Sequence, residues 1–149
     1  MVRDLDHDTP VTSDCTFCRV LTGEVAAHVV MDSDDVLAFL DRAPLFPGHT
    51  LVVPRAHHET LTDVPVTGLE PLWAAVQRVA GAMATALGAH GTFVAINNRV
   101  SQSVPHLHVH VVPRRFKDSL RGFFWPRQRY ADDAEAADVA RRLAAALEV

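Results

Sequence analysis

The chain has 149 residues, of which 48% are hydrophobic and 21% are charged, a balance that suits one globular domain and argues against extensive disorder. Its net charge of -4 at pH 7 argues against a nucleic-acid partner. No apolar run approaches the ~20 residues that span a bilayer, and the polar start lacks a signal-peptide pattern, so we expect no membrane partner and a cytoplasmic location.

The first predicted elements are strands that follow a polar leader. Residues 1–14 are polar and acidic, and we expect a flexible leader there, ahead of a single domain over residues 15–149. Aliphatic runs at 27–31 and 35–40 flank an Asp-Ser-Asp turn, which predicts a β-hairpin. The run at 49–53, closed by a proline, predicts a third strand.

A long helix is predicted in the middle of the chain. Apolar residues recur at spacings of three and four over 69–87, which indicates a helix with one apolar face. Thr67 and Glu70 have the spacing of a capping box at its start. Gly88 is a suitable residue to end it.

The second half of the chain predicts two more strands and a second helix. The strands are expected over 92–96 and 106–112, and the helix over 132–147, with Asp132 and Glu135 as its capping box. The order of strands, helix, strands, helix with short links predicts an α+β domain. We expect an antiparallel sheet of about five strands with two main helices.

Three histidines alternate with aliphatic residues in the last predicted strand. Because alternate residues face the same side of a strand, we expect His106, His108 and His110 to share one face. Leu107 and Val109 then face the core. A nucleophile flanked by a proton donor fits this row better than a metal held by three alternate residues. The central ring would keep Nε2 free, and a protonated neighbour would stabilise charge on phosphoryl oxygens.

Cys15 and Cys18 are the two cysteines of the chain, in a Cys-x-x-Cys pair. A structural zinc site would need two further ligands, which the nine histidines could supply. A thioredoxin-like motif would need a βαβ unit, and zinc deaminases place the cysteines after their histidine motif, so both alternatives fit less well. Two reduced cysteines packed under the sheet remain the simplest alternative.

Several segments together resemble the histidine-triad (HIT) family. They are His-Leu-His-Val-His-Val-Val (106–112), preceded by Gln-Ser-Val (102–104), and the upstream blocks Phe-Leu-Asp (39–41) and Pro-Gly-His-Thr-Leu-Val-Val-Pro (47–54). Cys-Thr-Phe-Cys (15–18) is similar to a pair found in bacterial nucleotide-binding and hydrolase members. The similarity covers most of the chain, in the order of the family, and its motifs are specific.

The resemblance implies an HIT-like fold, a homodimer and an enzyme that acts on purine nucleotides. Family members cleave at the α-phosphate through a nucleotidyl-histidine intermediate. Two substrate classes compete: dinucleoside polyphosphates, and nucleoside phosphoramidates or acyl-adenylates. The alternative is a non-catalytic nucleotide sensor or scaffold with a structural zinc site.

The resemblance also assigns roles to residues. The implied catalytic residues are His108 as nucleophile, His110 at the α-phosphate oxygens, His49 and Ser103. The implied nucleotide-binding residues are Asp41 at the ribose hydroxyls, Phe39, Asn98, Gln102, Ser103 and His110. The implied Zn²⁺ ligands are Cys15, Cys18, His57 and His106, with His58 as an alternative to its neighbour.

Two segments depart from the family pattern or lie beyond it. The loop 97–102 is about three residues shorter than usual and lacks the glycines that would let backbone amides approach a phosphate. The segment 114–129 carries six basic residues and one acid, which could hold distal phosphates or form a solvated surface. The aromatic run 122–126 could contact the leaving group, or pack at a dimer interface or in the core.

Overall fold

The computed structural model describes residue 12, residues 14–120 and residues 128–147. They belong to two compact units, Met1–Asp118 and Ser119–Val149. The first unit contains α1 (Thr16–Leu21), β1 (Val29–Asp32), β2 (Val36–Leu40), β3 (Thr50–Pro54), a short 3-10 turn (Leu61–Asp63), α2 (Val66–Leu87), β4 (Gly91–Ala95) and β5 (Val109–Arg114). The second unit contains α3 (Asp133–Leu147). The predicted leader falls almost entirely outside the described residues, and it stays a prediction.

The five strands form one antiparallel sheet in the order β1-β2-β3-β5-β4. The α+β class, the five antiparallel strands and the two main helices are confirmed, and α1 is an additional short helix. The predicted hairpin is confirmed as β1–β2, where the Ser33 amide and the Val36 carbonyl pair across the turn at 3.0 Å. Among the described residues, no helix has both the length and the apolar character needed to cross a membrane.

Each face of the sheet is covered by a different helix, because the side chains of a strand alternate between faces. On one face, Val36, Ala38 and Val52 pack in a cluster with the apolar side of α2. On the other face, Leu37 and Phe39 belong to a cluster that includes the side chains of α1 and the residue before it. The two faces therefore depend on segments that are far apart in the sequence.

The start of α2 differs from the prediction, while its end agrees with it. The helix begins at Val66, and its N-cap is Pro65, which makes no side-chain capping bond. The predicted capping box of Thr67 and Glu70 is therefore wrong; the fixed φ of proline already suits a helix start. Gly88 ends the helix in the left-handed conformation, with φ of 62°, as predicted.

The strand that carries the histidines begins later than predicted. β5 starts at Val109, so His106 and His108 precede the ladder. The reason is that the Leu107 amide donates to the carbonyl of His58 at 2.6 Å, away from β3. The predicted alternation of faces nevertheless extends through this segment, since Leu107 and Val109 both pack in the cluster under α2.

The predicted C-terminal helix is confirmed from Asp133, one residue later than expected. Asp132 Oδ1 accepts from the Glu135 amide at 2.8 Å, as in a capping box. The reciprocal bond differs, because the Glu135 carboxylate accepts from the Ala131 amide at 2.6 Å. Asp132 and Glu135 thus each accept a backbone amide proton at the start of α3.

The shortened loop holds two non-glycine residues in the left-handed region: Arg99 has φ of 66° and Ser101 has φ of 59°. These are conformations in which glycine is unstrained. We expect Ser101→Gly to raise the free energy of unfolding by about 0.5–1 kcal/mol, because the relief of strain exceeds the added chain entropy. Denaturant unfolding measures the difference.

Val100 supplies the matched control for that variant, since it lies in the same loop and has no positive φ. Val100→Gly should lower the free energy of unfolding, because it adds only chain entropy in the unfolded state. If both glycine variants were destabilised equally, the strain at Ser101 would be disproved.

Candidate active site and metal centre

A cavity of about 530 Å³ opens on the face of the sheet opposite α2, a volume within the range of small-molecule sites. Its apolar wall includes Phe17 and Val20 of α1 and Phe39 of β2. Its polar lining includes Asp41, Ser103, His108 and His110. Sequence reasoning placed the polar residues and Phe39 together but did not expect α1 as a wall.

The position of His110 in this cavity follows from the strand register. His110 on β5 is paired with Leu51 on β3, and directly paired residues share a face of the sheet. His49 immediately precedes β3, and its ring centroid lies 5.2 Å from that of His110. The sheet thus brings together two histidines that are 61 residues apart.

A hydrogen bond to the backbone fixes the tautomer of the His108 ring. Its Nδ1 lies 2.7 Å from the carbonyl oxygen of His106, and because a carbonyl only accepts, Nδ1 must carry the proton. In the neutral ring the lone pair is then on Nε2. The residue is 4% exposed and lines the cavity, so it has the form that a nucleophile requires.

A second chain of hydrogen bonds fixes the other two rings. The Leu45 amide donates to His49 Nδ1 at 3.1 Å, so the proton of His49 is on Nε2. That nitrogen lies 2.9 Å from His110 Nδ1 and donates to it, so the proton of His110 is on its Nε2. Among the described residues, no group accepts from this buried Nε2–H. It is therefore a donor available to a ligand.

The electrostatics of these rings favour their neutral forms. Burial, together with the neighbouring His108 and His49, lowers the pKa of His110 to about 4. Burial also lowers the pKa of His49, although the Asp41 carboxylate partly opposes this. The sequence hypothesis of a protonated neighbour is therefore not supported for the free protein. Desolvation disfavours the imidazolium, and His110 offers a neutral hydrogen-bond donor instead.

Acid is expected to destabilise the protein through His110. Because its pKa of about 4 lies below the ordinary 6.5, the unfolded chain binds more protons between these values. The free energy of unfolding should fall as the pH drops from 6.5 towards 4, by at most ~1.4 kcal/mol per pH unit from this ring. Above pH 6.5 this contribution is constant. Denaturant unfolding of the metal-free protein across this range measures the loss.

His110→Gln is the matched variant, since its amide oxygen still accepts from His49 and the side chain does not titrate. Burial also lowers the pKa of His106 to about 4, and that ring titrates in both proteins. The variant should therefore lose less stability in acid than the parent. An equal loss would show that His110 does not contribute.

The second cluster is the thiol–histidine cluster, which we define as Cys15, Cys18, His57 and His106. The Cys18 Sγ lies 3.2 Å from His57 Nδ1, and both sulfurs lie 3.6 Å from His106 Nδ1. All four of these atoms lie within 4.8 Å of one another. Burial raises the pKa of the Cys18 thiol, so it stays protonated in the absence of a cation.

The donor set and its geometry fit a tetrahedral zinc ion. His106 Nε2 lies 2.9 Å from the carbonyl oxygen of Pro54 and donates to it, which leaves the lone pair on Nδ1, facing the thiols. Zinc bonds of about 2.0–2.3 Å require ligand atoms roughly 3.3–3.8 Å apart, and the separations here need little adjustment. His58, the alternative ligand, is not a member of the cluster within the described ranges.

Asp41, His49 and His110 form another group of metal-ligating residue types. His49 Nε2 lies 3.6 Å from Asp41 Oδ2. However, His49 accepts an amide proton at Nδ1, so its Nε2 bears hydrogen and cannot bind a metal at the same time. This group is a hydrogen-bond relay rather than a second metal centre.

Two residues predicted to bind nucleotide make hydrogen bonds to the backbone of another segment, and their contact with nucleotide stays a prediction. Asn98 Oδ1 accepts from the Leu61 amide at 2.9 Å, and Gln102 Nε2 donates to the Glu59 carbonyl at 2.6 Å. These bonds join the loop 97–102 to the segment before α2. They support the backbone next to Ser103, which does line the cavity.

The basic segment is partly engaged in structural contacts. Arg114 binds both carboxylate oxygens of Asp118, at 2.6 and 2.9 Å. Arg115 donates to the carbonyls of Leu87 and Gly88 at the end of α2. Residues 121–127 lie outside the described ranges, and with them the aromatic run at 122–126, whose role stays a prediction.

The antiparallel sheet, the alternating histidines and the cavity beside them define a protein of the histidine-triad type. The HIT domain family model matches residues 22–117, and the chain belongs to the HIT family. An uncharacterized HIT-like protein of Saccharolobus solfataricus is 38% identical over 117 residues, covering 76% of this chain and 84% of that protein. The adenosine 5′-monophosphoramidase of Saccharomyces cerevisiae is 31% identical, covering 80% of this chain and 75% of that protein.

A solved structure of a zinc-bound family member is also similar to this chain. The zinc-bound histidine-triad protein of Mycobacterium smegmatis superposes with a TM-score of 0.69 at 36% identity. The match covers 91% of this chain and 96% of that one. The fold of the chain is thus that of a zinc-binding relative.

Proposed function

We propose that this protein is a hydrolase or transferase that cleaves purine nucleotides at the α-phosphate through a nucleotidyl-His108 intermediate. The observation that carries the proposal is the bond from His108 Nδ1 to the His106 carbonyl. It leaves Nε2 as a nucleophile in a cavity that also contains an available N–H of His110.

The substrate class follows from the relatives and from the residues around the cavity. The yeast relative is an adenosine 5′-monophosphoramidase, which favours a nucleoside phosphoramidate. Asp41 lines the cavity, and its carboxylate can accept from ribose hydroxyls. Phe39 belongs to the apolar wall and suits the face of a purine base. A dinucleoside polyphosphate is the competing substrate. The exposed basic residues after β5 could attract its distal phosphates.

The chemistry has two steps. His108 Nε2 attacks the α-phosphorus, a nitrogen–phosphorus bond forms, and the bond to the leaving group breaks. The His110 Nε2–H donates to a phosphoryl oxygen as its negative charge grows, and His49 holds His110 in that tautomer. Ser103 supplies the leaving group with a proton. Water then attacks the phosphorus and returns a proton to Ser103, the nitrogen–phosphorus bond to His108 breaks, and the nucleoside monophosphate is released.

Asn98 and Gln102 enter the proposal as residues that hold the loop carrying Ser103. Their bonds to the backbone of Leu61 and Glu59 fix that loop at the edge of the cavity. Direct contact of these two amides with the nucleotide stays a prediction beside this role.

We also propose a structural zinc ion in the thiol–histidine cluster. The spacing of its four ligand atoms and the zinc-bound relative support this assignment. The ion would cross-link three distant segments of the chain. It would take no part in the attack on phosphorus, because the residue that attacks is not one of its ligands.

A homodimer is the assembly we propose. β4 lies at the edge of the sheet, and Val94 on this strand is 38% exposed. Trp73 on α2 is 41% exposed. Exposed apolar residues on an edge strand and on a helix suit self-association, and light scattering at several protein concentrations measures the assembled mass.

The test combines turnover with capture of the intermediate. Adenosine 5′-phosphoramidate and diadenosine tetraphosphate are offered separately, and the release of AMP is measured at several salt concentrations. A charge-held polyphosphate should lose turnover in salt, and a phosphoramidate should not. Rapid quenching and mass spectrometry should then locate an adenylyl group on His108. Binding of AMP without turnover or adduct would favour the sensor or scaffold alternative.

A further inference from the structure

The helix α1 depends on side-chain contacts for its position. It has six residues, which is too short for a helix to be stable in isolation. Cys15 is its N-cap and Cys18 lies in its first turn, and both sulfurs face the histidines of the thiol–histidine cluster. The thiol–histidine cluster therefore contributes to the position of α1, together with the apolar packing of the helix on the sheet.

Phe17, between the two cysteines, connects α1 to the proposed active site. Its ring packs edge-to-face on His108, with centroids 5.1 Å apart and an interplanar angle of 85°. It contacts Phe39 in the same manner, at 5.4 Å and 71°. The residue is 8% exposed and lines the cavity. One ring thus touches the nucleophile and the apolar wall, on a backbone held by the two thiols.

We propose that Phe17 is a positioning residue that couples zinc binding at the thiol–histidine cluster to nucleotide affinity and to the orientation of His108. When the four ligands close on a zinc ion, the cysteines fix α1, and the Phe17 ring then holds His108 and the cavity wall in place. Without the ion, α1 is held by apolar packing and by the weaker contacts of the two thiols with the histidines. The inference rests on the proposed function for the identity of the nucleotide.

Coupling between two sites is reciprocal. If zinc strengthens the binding of AMP, then AMP must strengthen the binding of zinc by the same factor. We expect a factor of about ten, within the usual range for coupled sites. Both directions can be measured by calorimetry on the full chain, with Zn²⁺ and AMP as the only ligands.

Phe17→Leu is the informative variant, because leucine retains apolar volume but loses the flat ring that contacts His108. In this variant, the factor by which Zn²⁺ strengthens AMP binding should fall from about tenfold to about threefold or less. A residual effect is expected, because the His106 carbonyl also links the cluster to His108. Val20→Ala is the matched control: Val20 lines the same cavity from α1, and the variant should keep the full zinc effect.

A second measurement needs no nucleotide. In long-range proton–nitrogen NMR spectra of the imidazoles, adding Zn²⁺ should shift the His108 resonances of the parent protein. In Phe17→Leu the ligands His57 and His106 should still respond, while the His108 shift should shrink. A Phe17→Leu protein whose His108 shift and AMP affinity both keep the full zinc response would overturn the coupling.

The outcomes separate this inference from the proposed function. If AMP binds and substrate turns over with equal efficiency with and without zinc, the coupling fails and the function stands. If zinc shifts His108 through Phe17 but no nucleotide is cleaved, the function fails and the positioning role of Phe17 stands.

Discussion

His108→Ala is expected to lower kcat by about 10⁴-fold or more, since an enzyme that loses its nucleophile retains only the contribution of binding and charge stabilisation. AMP should still bind within a few-fold of the parent affinity, because Asp41 and the apolar wall are intact. The measurement is AMP release from adenosine 5′-phosphoramidate, together with calorimetry for binding. His108→Asn is a second variant that can still donate to the His106 carbonyl and so preserves the local fold.

The controls for this prediction use histidines in other environments. His110→Ala should cost less, about 10²–10³-fold in kcat, because it removes one stabilising donor and no covalent step. His90→Ala should leave kcat unchanged, since the ring of His90 is exposed and stacks on Phe116 at 4.9 Å, outside the cavity. Near-parental turnover by both His108 variants would exclude this residue as the nucleophile.

Removing the metal is expected to produce the largest change in stability. An ion present at about 1,000 times its Kd contributes ~4 kcal/mol to the free energy of unfolding. For a chain of this size, chelation should then lower Tm by about 8–16 °C. The physical reason is that Cys18, His57 and His106 come from three segments, and an ion bound to all of them is lost on unfolding. Calorimetry with and without a chelator measures the shift.

A variant of the cluster should lose this dependence on metal. Cys18→Ser should bind zinc more weakly, because a serine hydroxyl is a poor zinc ligand, and its Tm should respond little to the chelator. Thr16→Ser is the matched control, since Thr16 is exposed and lies between the same two cysteines. Equal chelator shifts in the parent and in Cys18→Ser, with no zinc in the purified protein by elemental analysis, would refute the metal centre.

Much of the fold could be predicted because its signals are local. The apolar spacing of α2, the alternation around Leu107 and Val109 and the glycine at the end of α2 each act within a few residues. The late start of β5 and the missed helix α1 arose where a distant group decides the outcome. The start of β5 depends on the carbonyl of His58, and α1 is stabilised by side chains from three other segments, so neither is visible in a local pattern.

The sequence predicted which residues make up the candidate site, but not which ring nitrogens of its histidines carry a proton. Residue types and a family resemblance were enough to select His108, His110, Asp41 and the thiol–histidine cluster. They could not assign a tautomer, because that depends on whether the partner of each ring nitrogen donates or accepts. Nor could they show that Gln102 donates to the carbonyl of Glu59. The cytoplasmic location stays a prediction.

The sequence by itself determined the number of strands, the two main helices, the shared face of the alternating histidines and membership of a family. The tertiary structure alone decided which nitrogen of each ring is free, because the groups that fix them lie on other segments. For His49 and His110 the contact spans 61 residues, and for His106 and Pro54 it spans 52. Contacts of this separation form only when the whole sheet is assembled, since their geometry is set by register and packing rather than by neighbouring residues.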